Sequence, residues 1–206
     1  MEFQVFLFLY LIIILSSIIH EYSHGWMANA LGDPTAKYAG RLTLNPLAHI
    51  DLWGTVILPF FLMALTNFQV FFGYAKPVPF NPYNLKNQRW GIVLIGLAGP
   101  LSNFLIALIL GLLVRFSLLP FLGLPLSLIV SINVWLAMFN LLPFAPADGS
   151  KVFGGLLGGR WENRLMGMSP TFGIVLSLMV AFFVLPLIVP WMVRLIIGPA
   201  AFFQVF

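Results

Sequence analysis

The sequence predicts an all-α polytopic membrane protein: a bundle of about five transmembrane helices, a re-entrant segment and short strand-like loop segments. Three observations carry this. Of the 206 residues, 61% are hydrophobic and only 8% charged, with a mean hydropathy of +1.01. An ordinary soluble domain is about half apolar and about a quarter charged. Ten basic and six acidic side chains cannot cover the surface of a 23.0 kDa globule, so the excess Leu, Ile, Val and Phe must face a lipid bilayer. The apolar residues are also gathered into stretches of membrane-spanning length, and turn formers separate them.

Taken in order, the first stretch is Phe3–Ile19, continuing helically past His20. It lacks a basic leader and runs straight into polar residues that look functional, so it is expected to be retained rather than cleaved. Leu31-Gly32-Asp33-Pro34 and Leu44-Asn45-Pro46 then read as turns. Between them, alternation over Lys37–Leu44 predicts a short strand, with Val70–Ala75 as its partner. Leu52–Phe72 is apolar but broken up by Gly54, Pro59, Thr66, Asn67 and Gln69. Ile92–Phe116, Leu124–Phe144 and Thr171–Val189 are further spans. Trp191–Phe206 is short and interrupted by Arg194 and Gly198-Pro199, so it either crosses or lies at the interface. With no alignable repeat and no low-complexity tract, residues 1–206 read as one membrane-embedded domain.

Composition also excludes functions. Without cysteine there are no thiolate metal sites, iron–sulfur clusters or thiol redox chemistry. A net charge of +4 and a pI near 9.7 would invite a nucleic-acid reading in a soluble chain. In a membrane protein, scattered Lys and Arg record topology instead, and no nucleic-acid partner is expected.

The chemistry lies at the end of the first stretch, in His20-Glu21-Tyr22-Ser23-His24. Helical residues four apart share a face, so both imidazoles can ligate one cation. Glu21 can then reach a zinc-bound water without being a ligand, which is the division of labour of a zinc hydrolase. Ionisable groups in an apolar span are costly and usually functional. The bland reading, two histidines marking the membrane boundary, is the weaker one. A catalytic zinc wants a third protein ligand and an open position. The candidates are His49, Asp33, Asp51, Asp148, Glu162 and Glu2. Asp148 is preferred because it follows a span broken by Pro143 and Pro146, where irregular backbone needs protein or water around it.

With both pieces in hand, the chain closely resembles the site-2 protease family of intramembrane zinc metalloproteases, in its compact prokaryotic form. The resemblance covers Leu15 to Val152 and rests on three motifs in the family's order. These are His20 to His24, then Ala98-Gly99-Pro100-Leu101-Ser102-Asn103, then Asn140-Leu141-Leu142-Pro143-Phe144-Ala145-Pro146-Ala147-Asp148-Gly149. It implies one zinc per chain held by His20, His24 and Asp148, Glu21 as the acid/base, and Asn140 positioning a substrate peptide. Ala145 stands where proline is common and Ala147 where leucine is usual; neither change removes a chemical group. The implied activity is hydrolysis of peptide bonds within or near a transmembrane segment of a membrane-protein substrate.

Other features read structurally. Gly99, Ser102 and Asn103 are close-packing and interhelical positions, and Gly154, Gly155, Gly158 and Gly159 lack the Gly-Lys-Ser/Thr ending of a phosphate loop. His49 is either a transient ligand or gate near the site, or, more simply, a loop histidine. The alternative from another class is a non-enzymatic divalent-metal-binding membrane protein, either a transporter or an inactive adaptor. A transporter would place ionisable groups at successive depths, whereas here they cluster at one level, and retention of Glu21 speaks against an adaptor.

Topology follows from requiring His20, His24 and Asp148 to meet. The first helix and Leu124–Phe144 must then end on one side, so one segment between them cannot cross. Leu52–Phe72 is the weaker span. If it is re-entrant, eight basic residues (Lys37, Arg41, Lys76, Lys86, Arg89, Lys151, Arg160 and Arg164) share the motif's side, against Arg115 and Arg194 opposite. The positive-inside rule then makes the motif's side cytoplasmic, in a multi-pass protein of the cell membrane.

Overall fold

The computed structural model describes residues 3–66, 73, 75–199 and 201–202. Every regular element among them is helical. The chain divides into two compact units, residues 1–86 and 87–206.

The first unit is organised on α1, Phe3–Ala30, a 28-residue helix. Ile12, Ser16, His20, His24 and Ala28, spaced by four, form one buried stripe. Leu7, Leu11 and Leu15 form an exposed apolar stripe fit to face lipid. The helix continues past His24 to Ala30, and α2, Thr35–Tyr38, follows after a turn. The strand expected over Lys37–Leu44 does not form. Lys37 and Tyr38 lie in α2, and Gly40, at φ +66°, turns the chain. The local hydrogen bonds of the turn (Arg41 N–H to Ala36 O, 2.9 Å) take the backbone groups that a ladder would need. Of its expected partner, only Gly73 and Ala75 are among the described residues.

Asp51 caps the next helical stretch through Gly54 N (2.7 Å), which runs as π turns over Leu52–Ile57 and as α3 over Leu58–Leu65. Pro59 has no N–H to give to the carbonyl of Thr55, four residues back. The Tyr10 hydroxyl of α1 donates to that carbonyl. Phe6, Tyr10 and Phe60 pack around the junction, with centroids 5.6–5.9 Å apart. Residues 75–81 have no regular secondary structure.

The second unit opens with α4, Gln88–Arg115, capped by the Asn87 side chain at Trp90 N (3.1 Å). Next come α5 (Gly123–Asn140), α6 (Asp148–Leu157), α7 (Gly159–Met166), α8 (Pro170–Phe183) and α9 (Leu185–Ile197). Its core joins Ala107, Val130, Val134, Leu185, Val189 and Val193. The fully buried amides of Asn103 and Asn133 meet at 3.1 Å and tie α4 to α5. A Cβ on Gly155 would lie 2.4 Å from Val93 Cγ2, so the glycine is what lets α6 lie close on α4. These contacts agree with reading Asn103 and Gly155 as packing positions, while Gly158 and Gly159, at φ +65° and +55°, make the tight turn between α6 and α7. The stretch expected as one span over Thr171–Val189 is two helices, broken at Val184 (φ −111°). The cause is Pro186, which restricts the residue before it and cannot donate into a continuous helix.

Among the described residues, three helical stretches are long and apolar enough to cross a membrane: α1, α4 and residues Pro120–Asn140. Counting the pair α7 and α8, bent by 90°, as one span gives a fourth. Leu52–Leu65 and α9 are shorter apolar helices.

Candidate metal centre

In the first unit, helical spacing brings the motif's two imidazoles together. His20 and His24 are both buried, with Nε2 atoms 3.0 Å apart and rings nearly perpendicular at 83°. Two imidazole nitrogens at this distance need a proton or a cation between them, because facing lone pairs repel. Two nitrogen ligands at about 2.0–2.1 Å from a tetrahedral zinc lie about 3.3 Å apart. The pair therefore fits one ion with little adjustment, and its nitrogen donors suit zinc.

Glu21 is half-buried beside them. Its Oε2 accepts the backbone N–H of Val78 at 2.8 Å, which holds the carboxylate in place and leaves Oε1 for other work. Val78 lies in the irregular stretch that also bonds His49 O through Lys76 N (2.9 Å). Nothing in the sequence announces this clamp, since it uses a backbone donor 57 residues away.

In the second unit, Asp148 is the first residue of α6 and is buried. Lys151, one turn on, donates to its Oδ1 at 2.8 Å. That partner was legible as an i,i+3 pair in the sequence. The Asp-Gly pairing also has a steric origin. A Cβ at position 149 would lie 2.2 Å from the Leu141 carbonyl oxygen, so only glycine lets α6 start against the end of α5. Asn140, at that end, donates from Nδ2 to Leu136 O at 2.9 Å.

The other ligand candidates have structural roles. Asp33 is fully buried and accepts from Asn81 N (2.6 Å), Asn84 Nδ2 (2.7 Å), Thr35 N (3.2 Å) and the Thr35 hydroxyl (2.5 Å). Burial pushes its carboxyl up, but these hydrogen bonds together outweigh burial and hold it below the usual carboxylate range. Asp51 is a helix cap, and Glu162 lies in the first turn of α7. His49 is buried, with Nε2 2.8 Å from Thr43 O. Glu2 lies outside the described residues.

Two buried histidines four residues apart with a glutamate between them, on a helix apolar enough to cross a membrane, match the donor set of the zinc metallohydrolases. The comparisons name the family. The sequence model of Peptidase family M50 matches residues 8–123, more than half of the chain. The "Putative zinc metalloprotease YwhC" of Bacillus subtilis (strain 168) is 34% identical over 194 residues, covering 87% of this chain and 81% of that protein. The chain belongs to peptidase family M50, the site-2 protease family of metalloproteases. No solved structure matches.

Proposed function

We propose that this protein is an intramembrane zinc endopeptidase that cleaves membrane-protein substrates within or near their transmembrane segments. The observation that carries the reading is the His20–His24 pair, with Nε2 atoms 3.0 Å apart on a helix that also presents Glu21. His20, His24 and Asp148 would hold one zinc, with the fourth position open. When bound there, zinc supplies Lewis acidity, lowering the pKa of water towards neutrality and polarising the scissile carbonyl.

The chain's own residues do the rest. Glu21, held by Val78 N–H, takes a proton from the attacking water on its other oxygen and returns it to the leaving amine. Lys151 donates to Oδ1 of Asp148 and holds the carboxylate in its ionised form at the start of α6. Asn140, at the end of α5, positions the unwound substrate backbone.

The same reading makes Leu52–Phe72 re-entrant and sets the site nearer the cytoplasmic face. Two features support it. The helix Leu52–Leu65 has fourteen residues, about 21 Å at 1.5 Å per residue, against a hydrocarbon core of about 30 Å. Asp33, just past α1, accepts hydrogen bonds from Asn81 and Asn84, beyond the apolar segment. Segments that touch outside the bilayer emerge on one side of it.

The test is metal analysis of the purified protein together with cleavage of single-span substrates in detergent. One zinc per chain and cleavage are expected, with zinc lost on replacing His20, His24 or Asp148 by Ala. A zinc-loaded protein that cleaves nothing would favour a metal-binding adaptor. Retention of zinc in Asp148→Ala, with loss in His49→Ala, would move the third ligand to His49.

A further inference from the structure

The Val78 N–H that holds Glu21 is itself held from two sides. On one side is α1. Val78 is buried, and its side chain lies over Gly25, the residue after His24. A Cβ on Gly25 would stand 3.0 Å from Val78 Cγ1 and 3.2 Å from Ala36 Cβ, with Leu42 Cδ1 at 3.6 Å. Gly25 thus leaves a niche that Ala36 and Leu42 wall and Val78 fills. Any side chain there would push Val78 outward by a few tenths of an ångström.

On the other side is Asp33. Three residues after Val78, the Asn81 N–H donates to Asp33 Oδ2 at 2.6 Å, and Asn84 Nδ2 donates to Oδ1 at 2.7 Å. Asp33 is fixed in turn to the end of α1, where its own N–H donates to Ala28 O at 2.9 Å. The chain between the two anchors has little slack. Three residues reach about 10–11 Å at most. Pro79 fixes one φ, and Val78 and Asn81 each precede a proline, which disfavours helical backbone at both. Asn81 accordingly sits at φ −114°, ψ 109°. A displacement at Asn81 is therefore passed on to Val78.

We infer that Asp33 and Gly25 are positioning residues for Glu21: together they place the Val78 N–H that aims the carboxylate, and neither touches the reacting atoms. The inference rests on the proteolytic reading and deepens it. A glutamate side chain has several rotatable bonds and much rotamer freedom to lose. With Oε2 fixed, Oε1 keeps one direction, and a misplacement of about 1 Å at such a group can cost about 10²-fold in rate. The competing account gives both residues to stability alone, so that their replacement lowers the melting temperature and leaves turnover by the folded protein unchanged.

The experiment uses the full chain, zinc-loaded in detergent, with a single-span substrate that it cleaves, below the melting transition of every variant. Asp33→Asn keeps one oxygen for Thr35 and Asn84 but turns an NH2 towards the Asn81 N–H, so it breaks the bond to the stretch. Gly25→Ala displaces Val78 from the α1 side and guards against misfolding of the first variant. In each, kcat should fall by about tenfold or more, with KM within about twofold and zinc content unchanged. Amide exchange is read by mass spectrometry on the same proteins without substrate. Pro77 and Pro79 have no amide hydrogen, so Val78 stands alone between them, and its exchange should quicken by about tenfold or more in both variants. Adding Val78→Ala to Gly25→Ala removes the Cγ1 that the new methyl meets and keeps the N–H. This should return kcat and Val78 protection to within about threefold of wild type.

Unchanged kcat in both single variants would overturn the positioning role and leave the two residues to stability. A fall in kcat with Val78 protection intact, or with zinc lost, would overturn it as well, because the effect would not run through Val78. A double variant as slow as Gly25→Ala would overturn the route from Gly25. Zinc-loaded wild type that cleaves no substrate would overturn the proteolytic reading and the positioning role with it, whereas cleavage that both variants retain in full overturns the positioning role alone.

Discussion

Replacing Glu21 by Gln separates chemistry from structure unusually well in this protein. The carboxylate has two jobs. One oxygen accepts Val78 N–H at 2.8 Å, and the other is proposed to take the proton of the attacking water. Glutamine has the same length, and its carbonyl oxygen can keep the Val78 bond, so the stretch at 75–81 should stay in place. The amide cannot accept a proton at neutral pH. General acid–base catalysis is worth about 10²–10⁴-fold, or about 2.7–5.4 kcal/mol on the barrier. Zinc stoichiometry and thermal stability should be unchanged, because Glu21 is not among the proposed ligands. The assay is initial-rate cleavage of a single-span substrate in detergent, with zinc measured on the same sample. Glu21→Asp provides a graded control. Its carboxylate is withdrawn by one C–C bond, about 1.5 Å, and cannot keep Val78 and reach the water together. Its activity should fall between wild type and Gln. Turnover of Glu21→Gln within tenfold of wild type would refute the acid/base role. Loss of zinc in the same variant would mean that the glutamate is a ligand.

Three further outcomes are expected. Asp33 titrates below its ordinary value in the folded protein, so its stabilisation is full above the unfolded pKa of about 3.9 and is lost as pH falls through the lower folded value. Asp33→Ala should strip the partners of Asn81 N–H and Asn84, costing ~1–3 kcal/mol at neutral pH, and the gap in melting temperature from wild type should narrow on acidification below about pH 4. A gap that stays constant down to acid pH would contradict the hydrogen-bond account. Gly149→Ala would place a Cβ 2.2 Å from Leu141 O; it should destabilise by ~1–3 kcal/mol and lower zinc content by displacing Asp148, and an unchanged melting curve with full zinc would count against it. Tyr38 and Tyr83 are both exposed in the first unit, and the chain has no cysteine of its own, so Tyr38→Cys and Tyr83→Cys should be labelled by an impermeant thiol reagent from the same, cytoplasmic side. Labelling from opposite sides would rule out the re-entrant arrangement.

Some of this protein is local in origin, and local features can be read from the chain. A membrane solvent follows from 8% charge, because no arrangement of so few charges covers a soluble surface. The His20–His24 pair follows from helical periodicity alone, since residues four apart share a face wherever the helix lies. The Asp148–Lys151 pair is local in the same sense. The strand pattern at Lys37–Leu44 misleads because alternation is a weak signal over eight residues, and a turn at Gly40 with its own hydrogen bonds overrides it. The break at Val184 was written in Pro186, but the apolar run around it hides the helix end. Long-range contacts decided the rest. The Val78 clamp on Glu21, the Tyr10 hydroxyl on the Thr55 carbonyl, and the Asp33 hub with Asn81 and Asn84 all join residues 45 or more apart. A sequence can name such donors and acceptors, but folding selects the partners by which groups it removes from water together.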